Sequence, residues 1–364
     1  DKKHGVDIVQ QSEAYMRQMR GNDVSMIFQE ASTALNPVFS IEFQVGESFE
    51  FHRLEQMLEE TIRELDEELE QGKTGFLGFK KFQRAQFERE RMSYGRYQAA
   101  VDKLDQQIIA LENADSEGSA ARIKTLNKRR ERMRPFDFST RLVRRVPFLK
   151  RYRKRLRKTI RRYVIDLLRS LGLPNPENVV DRYPHELSGG MQQRIVIAIA
   201  LACNPKLLIA DEPTSNLDVT IQAQIVDLIK HLKQSTISSV VFITQDLGLV
   251  AEVCDRVSVM YAGDVVETAS VKDLFSEQFH PYTKGLLASV PRVEQEGALK
   301  PIPGTVPNLV HPPTGCRFHP RCPFAKEICS RVKPNIIEQA PDHFVACHLF
   351  YDHDESTSAE EDEK

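Results

Sequence analysis

Short apolar segments that alternate with helical patterns constrain the fold of this chain more than any other feature. Four segments are rich in Val, Ile, Leu or Met and have the length of a strand: 23–28, 206–211, 239–244 and 256–261. Stretches of helical period lie between them, as at 221–233. Because strand–helix alternation builds parallel sheets covered by helices, the sequence predicts an α/β fold.

Two carboxylates close one of these segments. Asp211 and Glu212 follow the apolar run 207–210, and the carboxyl ends of parallel strands form the edge where α/β folds bind ligands. One carboxylate there can hold Mg²⁺, and the other can orient or deprotonate an attacking water. The same dipeptide also suits an exposed acidic turn before Pro213, so on its own it leaves both interpretations open.

A second candidate site lies at Ser188, Gly189 and Gly190, before a predicted helix over 191–203. The first N–H groups of a helix have no intrahelical acceptor and lie at the positive end of its dipole, which favours a bound anion such as phosphate. The structural alternative is an N-cap serine followed by glycines that serve a tight turn. The three residues alone favour this alternative, because short glycine motifs are common.

The stretch 51–160 has a different character. Its first apolar residues recur at steps of three and four, which predicts an amphipathic helix: Leu54, Leu58, Ile62, Leu65 and Leu69. Two more helical patterns flank a polar turn at 113–119 and suggest a coiled-coil hairpin. A basic run at 141–162 suits a solvated helical face, and also contact with anionic lipid headgroups or RNA.

Composition limits the remaining possibilities. A chain of 364 residues can form two or three domains, and its net charge of −2 gives no general reason to expect a polyanionic partner. No apolar run reaches the length of a membrane span. The sequence starts at Asp1 inside what reads as a running domain, so we expect a longer protein. The segment 351–364 is acidic and is predicted to be a disordered tail.

Four of the six cysteines occur close together in sequence near the C-terminus: Cys316, Cys322, Cys329 and Cys347. Their spacing matches neither the paired C-x₂-C of zinc ribbons nor a ferredoxin run. Buried free thiols remain a serious alternative to a metal centre. A small Pro-rich domain with little apolar content nevertheless needs some stabilising cross-link. His319, His343 and His348 could also act as ligands, although a surface position is the simpler expectation.

The order of the motifs resembles an ATP-binding cassette ATPase. Gln29 falls at the position of the family's Q-loop glutamine, residues 187–191 resemble the signature, and 207–212 resemble the Walker B strand. Residues 215–218 resemble the D-loop, and a further strand ends before Gln245. Five such matches in the right order make coincidence a poor explanation.

A narrower resemblance is to the D-type ATPase subunits of oligopeptide and dipeptide importers. It rests on Phe-Gln-Glu at 28–30, Tyr-Pro-His-Glu-Leu-Ser-Gly-Gly-Met at 183–191, and Asp-Val-Thr-Ile-Gln at 218–222. Residues 303–309 and the Cys-containing 311–323 also match. The resemblance covers roughly residues 20–50 and 160–350, and it leaves 51–158 as an apparent insertion.

The resemblance implies a set of residue roles. Glu212 would be the general base, with Asp211 and Gln29 serving Mg²⁺ and Gln245 at the catalytic switch position. Ser188, Gly189, Gly190 and Asp218 would contact ATP, with the signature closing over the nucleotide of another subunit. By the same resemblance the four cysteines listed above would hold a [4Fe–4S] cluster.

The resemblance also implies partners. These are a second ATPase subunit in a heterodimer, two transmembrane permease subunits and an extracytoplasmic peptide-binding protein, with no nucleic acid expected. The protein would then lie on the cytoplasmic face of the membrane. A soluble ATPase acting on ribosomes or nucleic acid, and a scaffold subunit with weak hydrolysis, are the alternatives.

Two departures from the family pattern matter. No G-x-x-x-x-G-K-[ST] phosphate cradle occurs in the sequence, and we expect it to precede Asp1. The switch position holds Gln245, whereas the family has histidine there. Because glutamine cannot carry a proton near neutral pH, we hypothesise slow hydrolysis at this subunit's own site.

These patterns together predict six segments. Residues 1–50 form a partial ATPase lobe with the Q-loop, 51–160 a charged helical insertion, and 161–205 a helical subdomain with the signature. Residues 206–270 form the remaining ATPase core, 271–350 an importer-type C-terminal domain, and 351–364 the acidic tail.

Overall fold

A computed structural model of the chain describes residues 13, 16, 19–71, 77–113, 119–137, 140, 141, 143, 152–215, 217–235, 239–290 and 301–350. The chain forms two compact units, 1–243 and 244–364. Within the described residues, no helix is both long and apolar enough to cross a membrane. The six-segment division above stays a prediction.

A three-stranded parallel sheet organises the first unit. Its strands are β1 (Val24–Ile27), β2 (Leu207–Asp211) and β3 (Ser239–Ile243), with β2 in the centre. Val24 lies opposite Leu207, and Asp211 lies opposite Ile243. The α/β fold class is therefore confirmed. The order of the strands brings residues that are about 180 positions apart to one sheet edge.

Helices cover this sheet and extend from it. They are α1 (Ala31–Ala34), α2 (Ile41–His52), α3 (Leu54–Glu70), α4 (Leu77–Asn113), α5 (Ser119–Arg132), α6 (Arg153–Ser170), α7 (Pro176–Val179), α8 (Gly189–Leu201) and α9 (Val219–Ser235), with a 3₁₀ turn at Pro184–Glu186. One apolar core joins β1 and β2 to α2, α3, α6 and α8. The predicted amphipathic helix is confirmed as α3, with Leu58 and Leu65 fully buried.

Helices α4 and α5 form the predicted hairpin. Arg130 on α5 pairs with Asp105 on α4, with 3.1 Å between Nε and Oδ1. Farther from the turn, the Asp137 N–H donates to Ser93 Oγ at 2.9 Å. Residues farther along the second segment therefore contact residues earlier in α4, so the two segments run antiparallel. The predicted turn residues 114–118 lie outside the described residues.

The second unit contains an antiparallel sheet. Its helices are α10 (Leu247–Val253), α11 (Val271–Ser276) and α12 (Pro281–Ala288), with 3₁₀ turns at His319–Arg321 and Glu327–Ser330. Its strands are β4 (Arg256–Tyr261), β5 (Asp264–Ser270), β6 (Ile337–Ala340) and β7 (His343–Val345), in the order β4-β5-β7-β6.

The expectation that 256–261 belongs to the parallel alternation is wrong. Ala262 and Gly263 follow β4 with φ angles of +50° and +90°. Two consecutive left-handed residues make the tight turn that joins antiparallel strands, so β5 folds directly back onto β4. The apolar pattern correctly predicts a strand at 256–261, but the two-residue turn decides that this strand pairs with β5.

Candidate functional site

The carboxyl end of β2 places Asp211 and Glu212 at the edge of the parallel sheet. Asp211 is the last residue of the strand, and the Glu212 N–H donates to the Ile243 carbonyl of β3 at 2.9 Å. Glu212 has a φ of +41°, which residues other than glycine seldom adopt. Backbone strain of this kind concentrates at functional sites, because the surrounding structure must enforce it.

Gln29 and Glu212 meet at this edge although 183 positions separate them in sequence. Gln29 Nε2 donates to Glu212 Oε2 at 3.0 Å. Ser215 Oγ lies 3.0 Å from the carbonyl oxygens of both Gln29 and Glu212. The backbone N–H of Ser215 also donates to the Glu212 carbonyl at 3.1 Å. The Q-loop residue, the end of β2 and the start of the D-loop therefore form one hydrogen-bonded group.

The position of Asp211 fits a magnesium ligand. Its side chain is half-buried, and no hydrogen bond or ion pair to it occurs among the residues that the structure describes. Mg²⁺ commonly binds proteins through one or two carboxylates and completes its octahedron with phosphate and water oxygens. The donor set at this edge is consistent with that chemistry. In the described ranges, no three His, Cys, Asp or Glu side chains form a complete metal-holding group.

The signature turn differs in detail from the prediction. Helix α8 begins at Gly189, not Met191, and ends at Leu201, not Cys203. Ser188 has the extended backbone of an N-cap, but its side chain accepts no cap hydrogen bond. A side chain at position 190 would meet Ile221, because an added Cβ would lie 2.8 Å from Ile221 Cγ2. Close packing of α8 against α9 thus requires glycine here.

Gln193 links the signature helix to the edge of the sheet. It is buried although its neighbours Gln192 and Arg194 are polar, and its Nε2 donates to the Pro213 carbonyl at 2.7 Å. Pro213 directly follows Glu212, so α8 and the strained end of β2 are joined by a buried hydrogen bond. This role was not predicted from the sequence. The available signal was helical spacing, because Gln193 lies three and four residues before the buried Val196 and Ile197.

Asp218 has a structural role in this arrangement. Its Oδ1 accepts the Ile221 N–H at 3.0 Å, and its carbonyl accepts the Gln222 N–H, so Asp218 caps the start of α9. Its predicted contact with ATP stays a prediction. Gln245 belongs to the second unit, between β3 and α10, and its predicted switch role also stays untested.

The four C-terminal cysteines are free thiols, and their neighbourhood is only partly suited to a cluster. Burial raises the pKa of Cys347 to about 11, and the nearby thiols of Cys316, Cys322 and Cys329 raise it further. The Cys316 N–H donates to the Cys329 carbonyl at 2.8 Å. The thiols are therefore close together, but among the described residues no three or more His, Cys, Asp or Glu side chains are arranged to hold a metal ion. The predicted [4Fe–4S] cluster therefore stays a proposal.

The three histidines considered as possible metal ligands form hydrogen bonds within the second unit. His343 and His348 are 3% and 1% exposed, so the expectation of a surface position is wrong for both. His343 Nε2 bonds to Glu267 Oε1 at 2.8 Å, and His348 Nε2 bonds to the Val332 carbonyl at 2.8 Å. His319 Nδ1 lies 2.9 Å from the Cys316 carbonyl.

Comparison with known proteins identifies two families in the sequence. Residues 4–215 match the family described as "ABC transporter", and residues 266–329 match "Oligopeptide/dipeptide transporter, C-terminal region". The resemblance inferred from the motifs is therefore confirmed.

Individual relatives agree with these matches. The dipeptide transport ATP-binding protein DppD of Bacillus subtilis is 52% identical over 202 residues, which is 55% of this chain and 60% of that protein. The oligopeptide transport ATP-binding protein OppD of the same organism is 49% identical over 203 residues, 55% of this chain and 57% of OppD. The chain thus spans about 60% of the length of these relatives.

A third relative aligns over nearly the whole chain. A peptide import ATP-binding protein of Brucella ovis is 35% identical over 349 residues, which is 94% of this chain and 74% of that protein. On these matches, the chain belongs to the ABC transporter family, beside the ATP-binding proteins of oligopeptide and dipeptide transport.

Proposed function

We propose that this protein is an ATP-hydrolysing subunit that powers peptide import through an ABC transporter. The observation that carries the proposal is the contact of Gln29 with Glu212 at the edge of the parallel sheet, 3.0 Å between Nε2 and Oε2. It joins the Q-loop glutamine to the proposed general base, so that two groups expected at the nucleotide meet at one edge of the sheet. The importer-type C-terminal region in the same chain supports peptides as the cargo.

Each residue at the sheet edge would have a separate role in ATP hydrolysis. Bound ATP with Mg²⁺ supplies the phosphate bond to be cleaved and the charge that assists its cleavage. Asp211 and Gln29 would hold the metal, and Glu212 would accept the proton of the attacking water. The Gln29 N–H occupies one oxygen of the Glu212 carboxylate. That oxygen becomes available to an attacking water once Gln29 turns away.

The signature turn would serve a second subunit. The N–H groups of Gly189 and Gly190 lie in the first turn of α8, where a helix favours an anion. Ser188 and Gly189 are exposed, so a phosphate held by another ATPase subunit could reach them. The buried bond from Gln193 to Pro213 would transmit that contact to the end of β2.

Exposed aromatic side chains beside the Q-loop support contact with permease subunits. Phe28 is 56% exposed, and Phe39 and Phe43, whose ring centroids lie 4.5 Å apart in a stack, are 42% and 49% exposed. Exposed clusters of this kind mark protein interfaces. We infer two permease subunits here, a second ATPase subunit at the signature, and a peptide-binding protein on the far side of the membrane. The protein would lie on the cytoplasmic face.

The test is peptide uptake and ATP hydrolysis by the assembled transporter. Co-purification of membrane permeases, together with hydrolysis that a Glu212→Gln change abolishes, is expected. Co-purification of ribosomes or RNA instead of permeases would overturn the proposal. A Gln245→His change should raise hydrolysis if glutamine slows this site, and an unchanged rate would refute that part.

The [4Fe–4S] cluster is a separate and narrower proposal. It is supported by the family resemblance and by the proximity of the four thiols, while the absence of a metal-holding group among the described residues counts against it. Iron analysis and visible absorbance of protein purified without oxygen decide the matter. Protein with neither iron nor brown colour would remove the cluster and leave the ATPase proposal intact.

A further inference from the structure

Helix α5 presents a strongly cationic surface that the proposed ATPase chemistry does not use. We define the basic face as five exposed side chains on α5: Arg122, Lys124, Lys128, Arg129 and Arg132. One acid, Glu131, is exposed beside them. The sequence 114–134 as a whole holds seven Lys or Arg against three Asp or Glu, which shows that the turn does not cancel the charge.

The basic face is not needed to hold α5 in place. The opposite side of the helix packs toward α4 through the half-buried Ile123, Leu126 and Met133. A sixth cation, Arg130, lies on that side and pairs with the buried Asp105. For the five outward cations, no ion pair or hydrogen bond occurs within the part of the chain that the structure describes.

Keeping these cations together has a cost that a partner would offset. Lys128 and Arg132 are four residues apart, as are Lys124 and Lys128, and like charges at this spacing destabilise a helix. The face carries no exposed apolar residue larger than alanine. A partner that it recognises must therefore be anionic, and contact must occur through charge, without insertion of apolar side chains.

We propose that the basic face of α5 binds the anionic surface of a lipid bilayer. The inference rests on the proposed function, which keeps the protein beside a membrane throughout its cycle. Clusters of Lys and Arg on one helix face are attracted by anionic headgroups, and a face without apolar side chains lies on that surface instead of entering it. The contact orients a subunit that other proteins already hold at the membrane.

RNA fits the same face less well. Single-stranded RNA is bound largely by stacking its bases on aromatic side chains, and residues 119–134 contain no aromatic residue. The hairpin also has a suitable shape for reaching a flat surface. Helix α4 has 37 residues and is therefore about 55 Å long, with α5 beside the part nearest the turn.

The experiment measures binding of the purified full chain to vesicles of phosphatidylcholine, with and without about 40% phosphatidylglycerol, by flotation at low and high KCl. One variant combines Arg122→Glu, Lys128→Glu, Arg129→Glu and Arg132→Glu. A matched control makes the same charge change at exposed cations elsewhere: Lys81→Glu, Arg182→Glu, Lys272→Glu and Lys284→Glu. A third variant replaces the three arginines of the face with lysine.

Binding is expected only with the anionic lipid, and raising KCl from about 0.05 M to about 0.3 M should weaken it at least roughly tenfold. The four reversals in the face should abolish it, the control should keep most of it, and the lysine variant should bind as the parent does. Circular dichroism shows whether each variant is folded. If the reversal variant does not fold, the single reversals, each expected to weaken binding, replace it.

Equal binding to vesicles by the reversal variant and the parent would overturn the proposal. It would also be overturned if the chain did not bind vesicles but bound RNA through the basic face. Vesicle binding requires neither ATP nor permeases. A chain that binds vesicles through α5 but imports no peptide would therefore contradict only the proposed function.

Discussion

Two glutamates, one in each unit, are held in opposite ways. Glu212 is half-buried at an open sheet edge, has a strained backbone, and meets one side-chain donor, Gln29 Nε2. Glu267 on β5 is fully buried and accepts three hydrogen bonds, from Phe279 N–H at 2.7 Å, His280 N–H at 3.0 Å and His343 Nε2 at 2.8 Å.

The difference fits the reactive role proposed for Glu212 and a structural role for Glu267. A carboxylate with one side-chain donor and access to solvent can exchange that donor for water or metal at little cost. A buried carboxylate with three donors cannot, because each donor left unpaired in the interior costs about 1–3 kcal/mol. The same residue type thus suits the proposed chemistry at β2 and stabilises the fold at β5.

The largest expected effect is on catalysis at β2. Replacing Glu212 with Gln removes the proton acceptor and should slow ATP hydrolysis by the assembled transporter about 10²-fold or more. Thermal stability should change little, since only one exposed hydrogen bond is altered. Glu30→Gln, one residue beyond Gln29, is the matched control and should retain the parental rate. A Glu212→Gln variant that hydrolyses ATP normally would contradict the assignment.

The corresponding change at β5 should act on stability. Glu267→Gln places an amide N–H₂ against backbone N–H donors and should lower the free energy of unfolding by about 2–4 kcal/mol. Urea unfolding followed by circular dichroism measures it, because the chain has no Trp. Glu277→Gln, at an exposed site, should be neutral. Equal stability of the two variants would mean that Glu267 is not the cohesive group we describe.

Mildly acidic pH should lower the free energy of unfolding, through His280 beside Glu267. Burial lowers the pKa of His280 from 6.5 to about 4, with Glu267 opposing the shift. The unfolded chain therefore takes up this proton first. The stability contribution is complete above pH 6.5 and falls as the pH drops toward 4, by at most roughly 3 kcal/mol.

Thermal melts between neutral pH and pH 4 measure this loss. His280 Nδ1 accepts the Tyr282 N–H and so caps α12. Asparagine can make the same cap without titrating, so His280→Asn should flatten the pH dependence while leaving the neutral melt nearly unchanged. A slope that persists in this variant would assign the titration to another group.

The smallest expected effect concerns Ser215. Its hydroxyl joins the Gln29 and Glu212 carbonyls, and one such bond contributes about 0.5–1.5 kcal/mol. Ser215→Ala should therefore lower the hydrolysis rate about twofold to tenfold, whereas Ser215→Thr keeps the hydroxyl and should come close to the parent. If alanine and threonine behave alike, the hydroxyl has no role in positioning Gln29.

Local sequence was sufficient to predict the parallel strands and the sheet-edge residues. Apolar runs of strand length identified β1, β2 and β3, and the polar residues that end them identified Gln29, Asp211 and Glu212. The register of a parallel sheet then brings those ends together, and the motif order supplied the family. Strand ends and motifs are properties of short segments, which explains this success.

What the sequence did not reveal depends on distant partners. The burial of Gln193 follows from Pro213, and the burial of His343 follows from Glu267, 76 positions away. The pairing of β4 was set by the turn at Ala262 and Gly263, which the strand pattern does not encode. Whether a polar side chain is a ligand, a cap or a core hydrogen bond is decided by neighbours that are remote in sequence.

The contact of Gly190 with Ile221 has a consequence for genetics. A larger residue at 190 damages the packing of α8 against α9 as well as any phosphate contact, so loss of transport in a Gly190 mutant does not by itself reveal which was lost. A search for second-site suppressors separates the two. Suppressors that shorten Ile221 would restore transport if packing was the defect, whereas a purely phosphate-binding defect would have none at that position.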